Sequence, residues 1–132
     1  MIETLVDRGV LPDPLIRAGI RRVVSGRLKE QERGGIDIVS LADGTTGMHA
    51  VFEPGWTWEA DEKPLLGSPA SCPMRHTGYC IAGKLAVRMV ETNVKTNIGP
   101  GDFFEIPAGH DAYVDGNERV ELVLFAPPDH AH

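Results

Sequence analysis

From residue 36 to residue 126, apolar positions alternate with polar ones along the chain with a period of two. Such alternation is typical of strands that bury one face. Glycine-rich turns separate the alternating segments, and the pattern predicts an all-β jelly roll of two packed antiparallel sheets. The predicted strands are Ile36–Leu41, Thr46–Glu53, Tyr79–Ile81, Leu85–Val90, Val94–Ile98, Phe103–Ile106, Ala112–Val114 and Val120–Phe125.

The segment before Gly34-Gly35 has a different period. Asp13 is a suitable N-cap and Pro14 suits the first helical position. The apolar residues that follow recur every three or four positions, which predicts an amphipathic helix over residues 14 to 32. These residues are Ile16, Ile20, Val23, Val24 and Leu28. We therefore expect a helical extension over residues 1–35 and a barrel over residues 36–132.

Composition limits the possible partners. The chain has 132 residues, which suits one domain, and its formal charge of −6 disfavours binding to nucleic acid or to an anionic membrane. No apolar run approaches the roughly 20 residues that cross a bilayer, and no signal peptide is evident, so we expect a cytoplasmic protein. Cys72 and Cys80 are too far apart on an extended segment to form a disulfide, which predicts free thiols.

One stretch carries a family resemblance. Gly101-Asp102, followed by Pro107-x-Gly109, resembles the second conserved motif of the cupin superfamily. Phe52-Glu53-Pro54-Gly55-Trp56 and Cys72-x3-His76-x-Gly78-Tyr79 extend the resemblance to a group of small bacterial RmlC-like cupins, which also occur joined to nucleotide-cyclase-type signalling domains. The resemblance implies a cupin-type double-stranded β-helix, a jelly-roll barrel with a ligand pocket inside it.

The first cupin motif contains most of the metal ligands that the family uses, so we compare it with this sequence. In metal-binding members it contains His-x-His, then a Glu, then a Gly seven residues after the Glu. Counting back from Gly83 places His76 at the Glu position and Cys72 at the second His position. Ala70 replaces the first His, and Ala112 replaces the His of the second motif. Two of the four ligands that the family uses are therefore absent from this chain.

The remaining donors suggest an unusual set. Residues of equal parity share one face of a strand, so Cys72, His76 and Cys80 can enter one pocket, and His110 can approach it from the facing strand. One thiolate with two imidazoles suits Zn²⁺ better than Fe²⁺ or Ni²⁺. A second interpretation stays open, in which His76 is a hydrogen-bonded pocket residue and Cys72 is a small buried apolar one.

Three further residues are candidates for the pocket wall. Trp56 and Trp58 lie on one side of an extended segment, where they either stack on a ligand or pack to close the barrel. His49 shares its strand parity with Val51 and Glu53, and we include it among the pocket residues. The predicted ligand pocket consists of Cys72, His76, His110, Trp56, Trp58 and His49.

Three functions fit these predictions. The first is a cupin that binds a small molecule without a metal, and the second is a metal-dependent enzyme of isomerase or oxygenase-like type that uses Cys72, His76 and His110 as ligands. The third is an interaction or oligomerisation module that uses the barrel only as a scaffold. We also expect a homodimer, because exposed sheet edges and the apolar helix stripe need covering.

Overall fold

The chain folds mainly into antiparallel strands. We describe it from a computed structural model, which defines residues 26–127. Nine strands form within these residues, and a short helical segment follows the third. The strands are β1 Gly26–Gln31, β2 Gly34–Ser40, β3 Thr46–Phe52, β4 His76–Ala82, β5 Leu85–Met89, β6 Lys95–Ile98, β7 Phe103–Ile106, β8 His110–Val114 and β9 Val120–Ala126.

The strands form two sheets. One has six strands in the order β1-β2-β3-β9-β4-β7, and the other has three in the order β6-β5-β8. Side chains from both sheets meet in one core. The alternation of buried and solvent-facing side chains is clearest in strand β9. Val120, Leu122 and Leu124 are buried, whereas Glu121 and Phe125 on the other face are not. All eight strands predicted from the alternation are present.

The N-terminal prediction needs correction. Residues 26–31, which we expected to end a helix, form β1 and pair with β2 across the turn at residues 32 and 33. Gly34 begins β2 instead of ending a helix, and a Cβ atom there would lie 2.3 Å from the Val51 carbonyl oxygen. Pairing with a neighbouring strand thus outweighs the local helical spacing. The rest of the predicted helix, residues 14–25, lies outside the described residues.

A helical segment connects β3 to β4 and packs against β8. Trp58–Glu62 forms a π-helical turn and Lys63–Leu66 a 3₁₀ turn. Thr57 caps the first turn, because its hydroxyl accepts a hydrogen bond from the Ala60 N–H at 3.0 Å.

No helix in the described part of the chain is long and apolar enough to cross a membrane.

Candidate metal centre and ligand cavity

A cavity of about 230 Å³ opens between the two sheets. Most of its wall is aliphatic or aromatic, and Phe52 and Trp56 stack there with ring centroids 3.9 Å apart. Five of the six residues that we predicted for the pocket line this cavity. They are Cys72, His76, His110, Trp56 and Trp58.

Backbone hydrogen bonds fix the relative positions of Cys72 and His110. The Cys72 N–H donates to the His110 carbonyl at 2.8 Å, and the Gly109 N–H donates to the Cys72 carbonyl at the same distance. Gly109 adopts φ = +96°, a conformation that glycine tolerates best, and this turn leads β7 into β8. The Pro-x-Gly motif therefore brings the start of β8 against the segment that precedes β4.

His76 reaches the same place from the six-stranded sheet. It is the first residue of β4 and pairs with Ile106 at the end of β7. Its ring and that of His110 are 5.5 Å apart in an edge-to-face arrangement. One ligand atom from each of Cys72, His76 and His110 lies within 4.8 Å of the others, so the three form a group that could hold a metal ion.

Both imidazoles are suited to metal binding in their neutral form. The His110 Nδ1–H donates to the Pro107 carbonyl at 2.7 Å, because a carbonyl oxygen can only accept, and this leaves Nε2 unprotonated. Burial lowers the pKa of His110. Burial also lowers the pKa of His76 to about 4, with a smaller contribution from the neighbouring His110. Both rings are therefore uncharged near neutral pH.

Two polar atoms at the cavity wall are buried without a hydrogen-bond partner among residues 26–127. They are His76 Nδ1 and Trp58 Nε1. A buried polar group without a partner is costly, so native proteins usually satisfy it with water, a ligand or an ion. This feature and the S/N/N donor set are both consistent with a transition-metal ion beside Cys72, His76 and His110.

The two alanines at the family's ligand positions differ in location. Ala112 lines the cavity from β8, on the same face as His110. Ala70 is exposed and precedes the bridge between Cys72 and His110. His110, two residues before Ala112, therefore provides the imidazole that the facing strand contributes to this group.

The prediction for His49 needs correction. Its neighbours in β3, Met48, Ala50 and Phe52, are buried in the core, whereas His49 points to the outer face. Its Nε2 atom lies 2.6 Å from a Glu121 carboxylate oxygen. Strand parity correctly put His49 on the same face as Val51. The other face, with Met48, Ala50 and Phe52, is the more apolar one and turns inward, so His49 lies outside the cavity.

A buried polar network beside the cavity escaped the sequence prediction. Asp61 accepts hydrogen bonds from the Thr57 N–H at 3.0 Å and the Arg33 Nε–H at 3.1 Å, and Arg33 Nη2 lies 3.0 Å from its other oxygen. The Trp56 Nε1–H donates to the Gln31 side-chain oxygen at 2.8 Å. The network fastens the helical segment and Trp56 to the first hairpin. The one local sequence feature that pointed to this network was Thr57, a residue type that often caps helices, four positions before Asp61.

Cys80 does not belong to the metal group. Its thiol is fully buried and lies 3.4 Å from the Ala82 carbonyl, to which it donates. Burial raises the pKa of this thiol. Neither cysteine forms a disulfide within residues 26–127, which agrees with the sequence prediction of unbridged thiols.

Comparison with solved structures establishes the fold. No protein-family model and no curated protein matches the sequence. An RmlC-like cupin family protein from Methanocaldococcus jannaschii superposes with a TM-score of 0.57 at 12% identity, over 83% of this chain and 94% of that one. This chain has the cupin fold. The resemblance noted in the sequence thus holds at the level of architecture, a double-stranded β-helix.

Two enzymes share the cupin fold of this chain at low identity. A polyketide cyclase from Streptomyces resistomycificus gives a TM-score of 0.59 at 14% identity, over 83% of this chain and 80% of that one. The oxalate decarboxylase of Bacillus subtilis, a protein with Mn(II) centres, gives 0.59 at 16% identity. That match covers 96% of this chain but only 35% of the decarboxylase. At these identities the likeness concerns the fold.

Proposed function

We propose that this protein is a metal-dependent cupin in which Cys72, His76 and His110 hold one divalent transition-metal ion at the wall of the cavity. The proposal is carried by one observation. Ligand atoms from three separate segments converge to within 4.8 Å of one another beside an apolar cavity. A small molecule in that cavity is the proposed ligand or substrate.

The donor set favours zinc. A thiolate and two imidazoles are typical zinc ligands, whereas Mn²⁺ prefers oxygen donors, and Fe²⁺ or Ni²⁺ is less favoured here. Three protein ligands leave a fourth tetrahedral position free, which distinguishes catalytic zinc sites from structural ones. Around zinc the donor atoms lie about 3.3 to 3.6 Å apart, so the group would contract slightly on binding.

The expected chemistry follows from the metal. When bound, zinc would act as a Lewis acid on a carbonyl or hydroxyl oxygen of the substrate, or would lower the pKa of a bound water. Because zinc is not redox-active, an isomerase-like reaction fits the donor set better than an oxygenase-like one. His110, held by the Pro107 carbonyl, would keep its Nε2 directed at the ion.

A second candidate function is a cupin that binds a small molecule without a metal. The observation in its favour is the cavity wall, where aromatic and aliphatic side chains predominate. Such a wall can bind an apolar ligand by burial alone, and His76 Nδ1 or Trp58 Nε1 could add a polar contact.

Metal content separates the two candidates. We expect protein purified without an affinity tag, then incubated with zinc and dialysed, to retain about one ion per chain by mass spectrometry of the metal. The His76→Ala and Cys72→Ala variants should lose it. His49→Ala is the matched control, because His49 is a histidine of the same domain on the outer face.

Stability measurements show whether the variants remain folded. We expect His76→Ala to change the free energy of unfolding of the metal-free protein by about 1 kcal/mol. A wild-type protein that retains no zinc would contradict the metal proposal and favour the metal-free binder. Equal zinc loss in His49→Ala would also contradict it, because the retained metal would then not reside at Cys72, His76 and His110.

A further inference from the structure

The charge distribution around the cavity limits the ligands that it can take. Among the described residues that line it, none is a lysine or an arginine, and Glu62 adds a carboxylate at the wall. The nearby Arg33 is engaged by Asp61. The proposed metal centre, a divalent ion with one thiolate and two neutral imidazoles, has a net charge of about +1. It would neutralise only part of the charge of a dicarboxylate or a phosphorylated compound, which would give up its hydration without receiving a protein cation in return. The cavity is therefore unsuited to polyanions.

The size of the cavity sets a second limit. A cavity of about 150 Å³ lined by aliphatic and aromatic side chains binds benzene. By simple proportion, the 230 Å³ available here suits a molecule of about nine non-hydrogen atoms. The stacked Phe52 and Trp56 rings provide a flat wall, which favours a planar or cyclic body over a long chain.

The polar atoms of the wall define the head group. Trp58 is almost completely buried, and its Nε1–H, which can only donate, has no acceptor among residues 26–127. The Cys72, His76 and His110 group lies at the wall of the same cavity. An oxygen atom on the ligand has two lone pairs, so it can bind a metal ion and accept a hydrogen bond from the indole N–H at the same time.

Resting on the proposed metal site, we infer that the ligand is a compact cyclic compound with an apolar body and a single phenol, enol or ketone oxygen. The oxygen is directed to the ion at Cys72, His76 and His110, and Trp58 Nε1–H is its second partner. The body lies against Phe52 and Trp56. Oxalate and sugar phosphates fall outside this class.

Three probes test the inference by titration calorimetry on zinc-loaded and metal-free protein. They are 4-propylphenol, propylbenzene as the matched compound without oxygen, and oxalate. We expect zinc-loaded protein to bind 4-propylphenol about tenfold more tightly than propylbenzene, and to bind oxalate more weakly than either. In metal-free protein the preference for the phenol should shrink to about threefold, the value of one hydrogen bond.

Trp58→Phe isolates the second contact, because it removes the N–H and keeps an aromatic ring. We expect it to weaken the binding of 4-propylphenol about threefold or more and to leave the affinity for propylbenzene nearly unchanged. Tyr79→Phe, on the outer face, is the control and should alter neither affinity. Circular dichroism checks that both variants keep the wild-type fold.

The outcomes distinguish this inference from the proposed function. Retained zinc with oxalate as the tightest probe, or with no binding of either aromatic probe, overturns the ligand class while the metal site stands. An equal effect of Trp58→Phe on both aromatic probes overturns the role of its N–H. Failure to retain zinc, with Trp58-dependent binding of the phenol to metal-free protein, overturns the metal site and supports the ligand class.

Discussion

Histidines on opposite faces of the six-stranded sheet occupy opposite electrostatic environments. His76 begins β4 on the inner side, beside His110 from the facing sheet, and its pKa is lowered to about 4 by burial. His49 lies on the outer side of β3, with Glu121 2.6 Å from one ring nitrogen and Asp37 4.0 Å from the other. The same residue type is thus kept neutral inside and placed between carboxylates outside.

The difference shows how strand alternation selects chemistry. A neutral imidazole in an apolar wall has a lone pair to offer, which is what a transition metal requires. An imidazole between two carboxylates is instead suited to an ion pair, which at an exposed position contributes at most about 1 kcal/mol. One residue of shift along a strand decides between these roles.

Asp61 is the only carboxylate that is buried among the described residues. Its side chain is only 1% exposed, and its oxygens are engaged by the Thr57 N–H and by the Arg33 guanidinium. We expect Asp61→Ala to lower the free energy of unfolding by about 3 to 4 kcal/mol, because the Thr57 N–H loses its acceptor and the Arg33 guanidinium loses its hydrogen-bonded ion-pair partner. Urea unfolding monitored by circular dichroism measures the change.

Glu121→Ala is the matched control for Asp61, since it removes an acidic partner on the outer face. It should cost about 0 to 1 kcal/mol, as is usual for exposed pairs. Asp61→Asn keeps the shape and one acceptor oxygen and should give an intermediate loss. If Asp61→Ala and Glu121→Ala were equally mild, the buried network would contribute nothing beyond a surface pair.

The depressed pKa of His76 predicts how stability depends on pH. In the unfolded chain the imidazole takes up a proton below about pH 6.5, whereas the folded protein resists protonation down to about pH 4. The unfolded state therefore binds more protons in this window. The contribution of His76 to the free energy of unfolding is fully present above pH 6.5. It decreases by roughly 3 kcal/mol at most as the pH falls toward 4. His110, whose pKa is also lowered, adds to the loss.

Metal-free protein is the sample for this experiment, because bound zinc would compete with protons. Urea midpoints are measured between pH 7.5 and 4 for the wild type, His76→Gln and His49→Gln. We expect His76→Gln to flatten the profile and His49→Gln to leave most of it. A wild-type profile that is level across this window would show that His76 is not buried in its neutral form.

The strands could be predicted because their evidence is local. Half-buried strands alternate in polarity, so the eight segments between residues 36 and 126 were found from spacing alone. Strand β1 was missed because its pairing with β2 is a tertiary interaction that outweighs the helical spacing of the residues around it. Local periodicity contains no information about a partner strand.

The site could be predicted only in part, for the same reason. The motif register placed Cys72 and His76, and parity added His110. Parity says which residues share a face but not which face turns inward, so His49 was assigned to the cavity. Asp61 and Arg33 are 28 residues apart in sequence, and no local pattern connects them. Their pairing becomes visible only once the first hairpin is placed against the helical segment.

The predicted homodimer remains a prediction, and the outer face provides a place for it. Phe103 on β7 is 84% exposed, and its ring lies 4.8 Å from that of Tyr79 on β4. Within the described residues β7 pairs only with β4, so an unpaired strand edge adjoins these exposed aromatic side chains. We propose that a second copy of the chain covers both features, since a two-fold axis can match an edge and a patch to themselves.

Phe103→Ser tests this dimer with the smallest effect on the fold. Because Phe103 is so exposed, the substitution should change the free energy of monomer unfolding by about 0.5 kcal/mol or less. It should nevertheless shift the mass measured by light scattering at micromolar concentration from twice the 14.3 kDa of one chain toward that value. Leu65→Ser, at an exposed apolar position in the helical segment, is the control and should leave the mass unchanged. A wild-type protein that is monomeric would refute the dimer, and a dimer unaffected by Phe103→Ser would place its interface elsewhere.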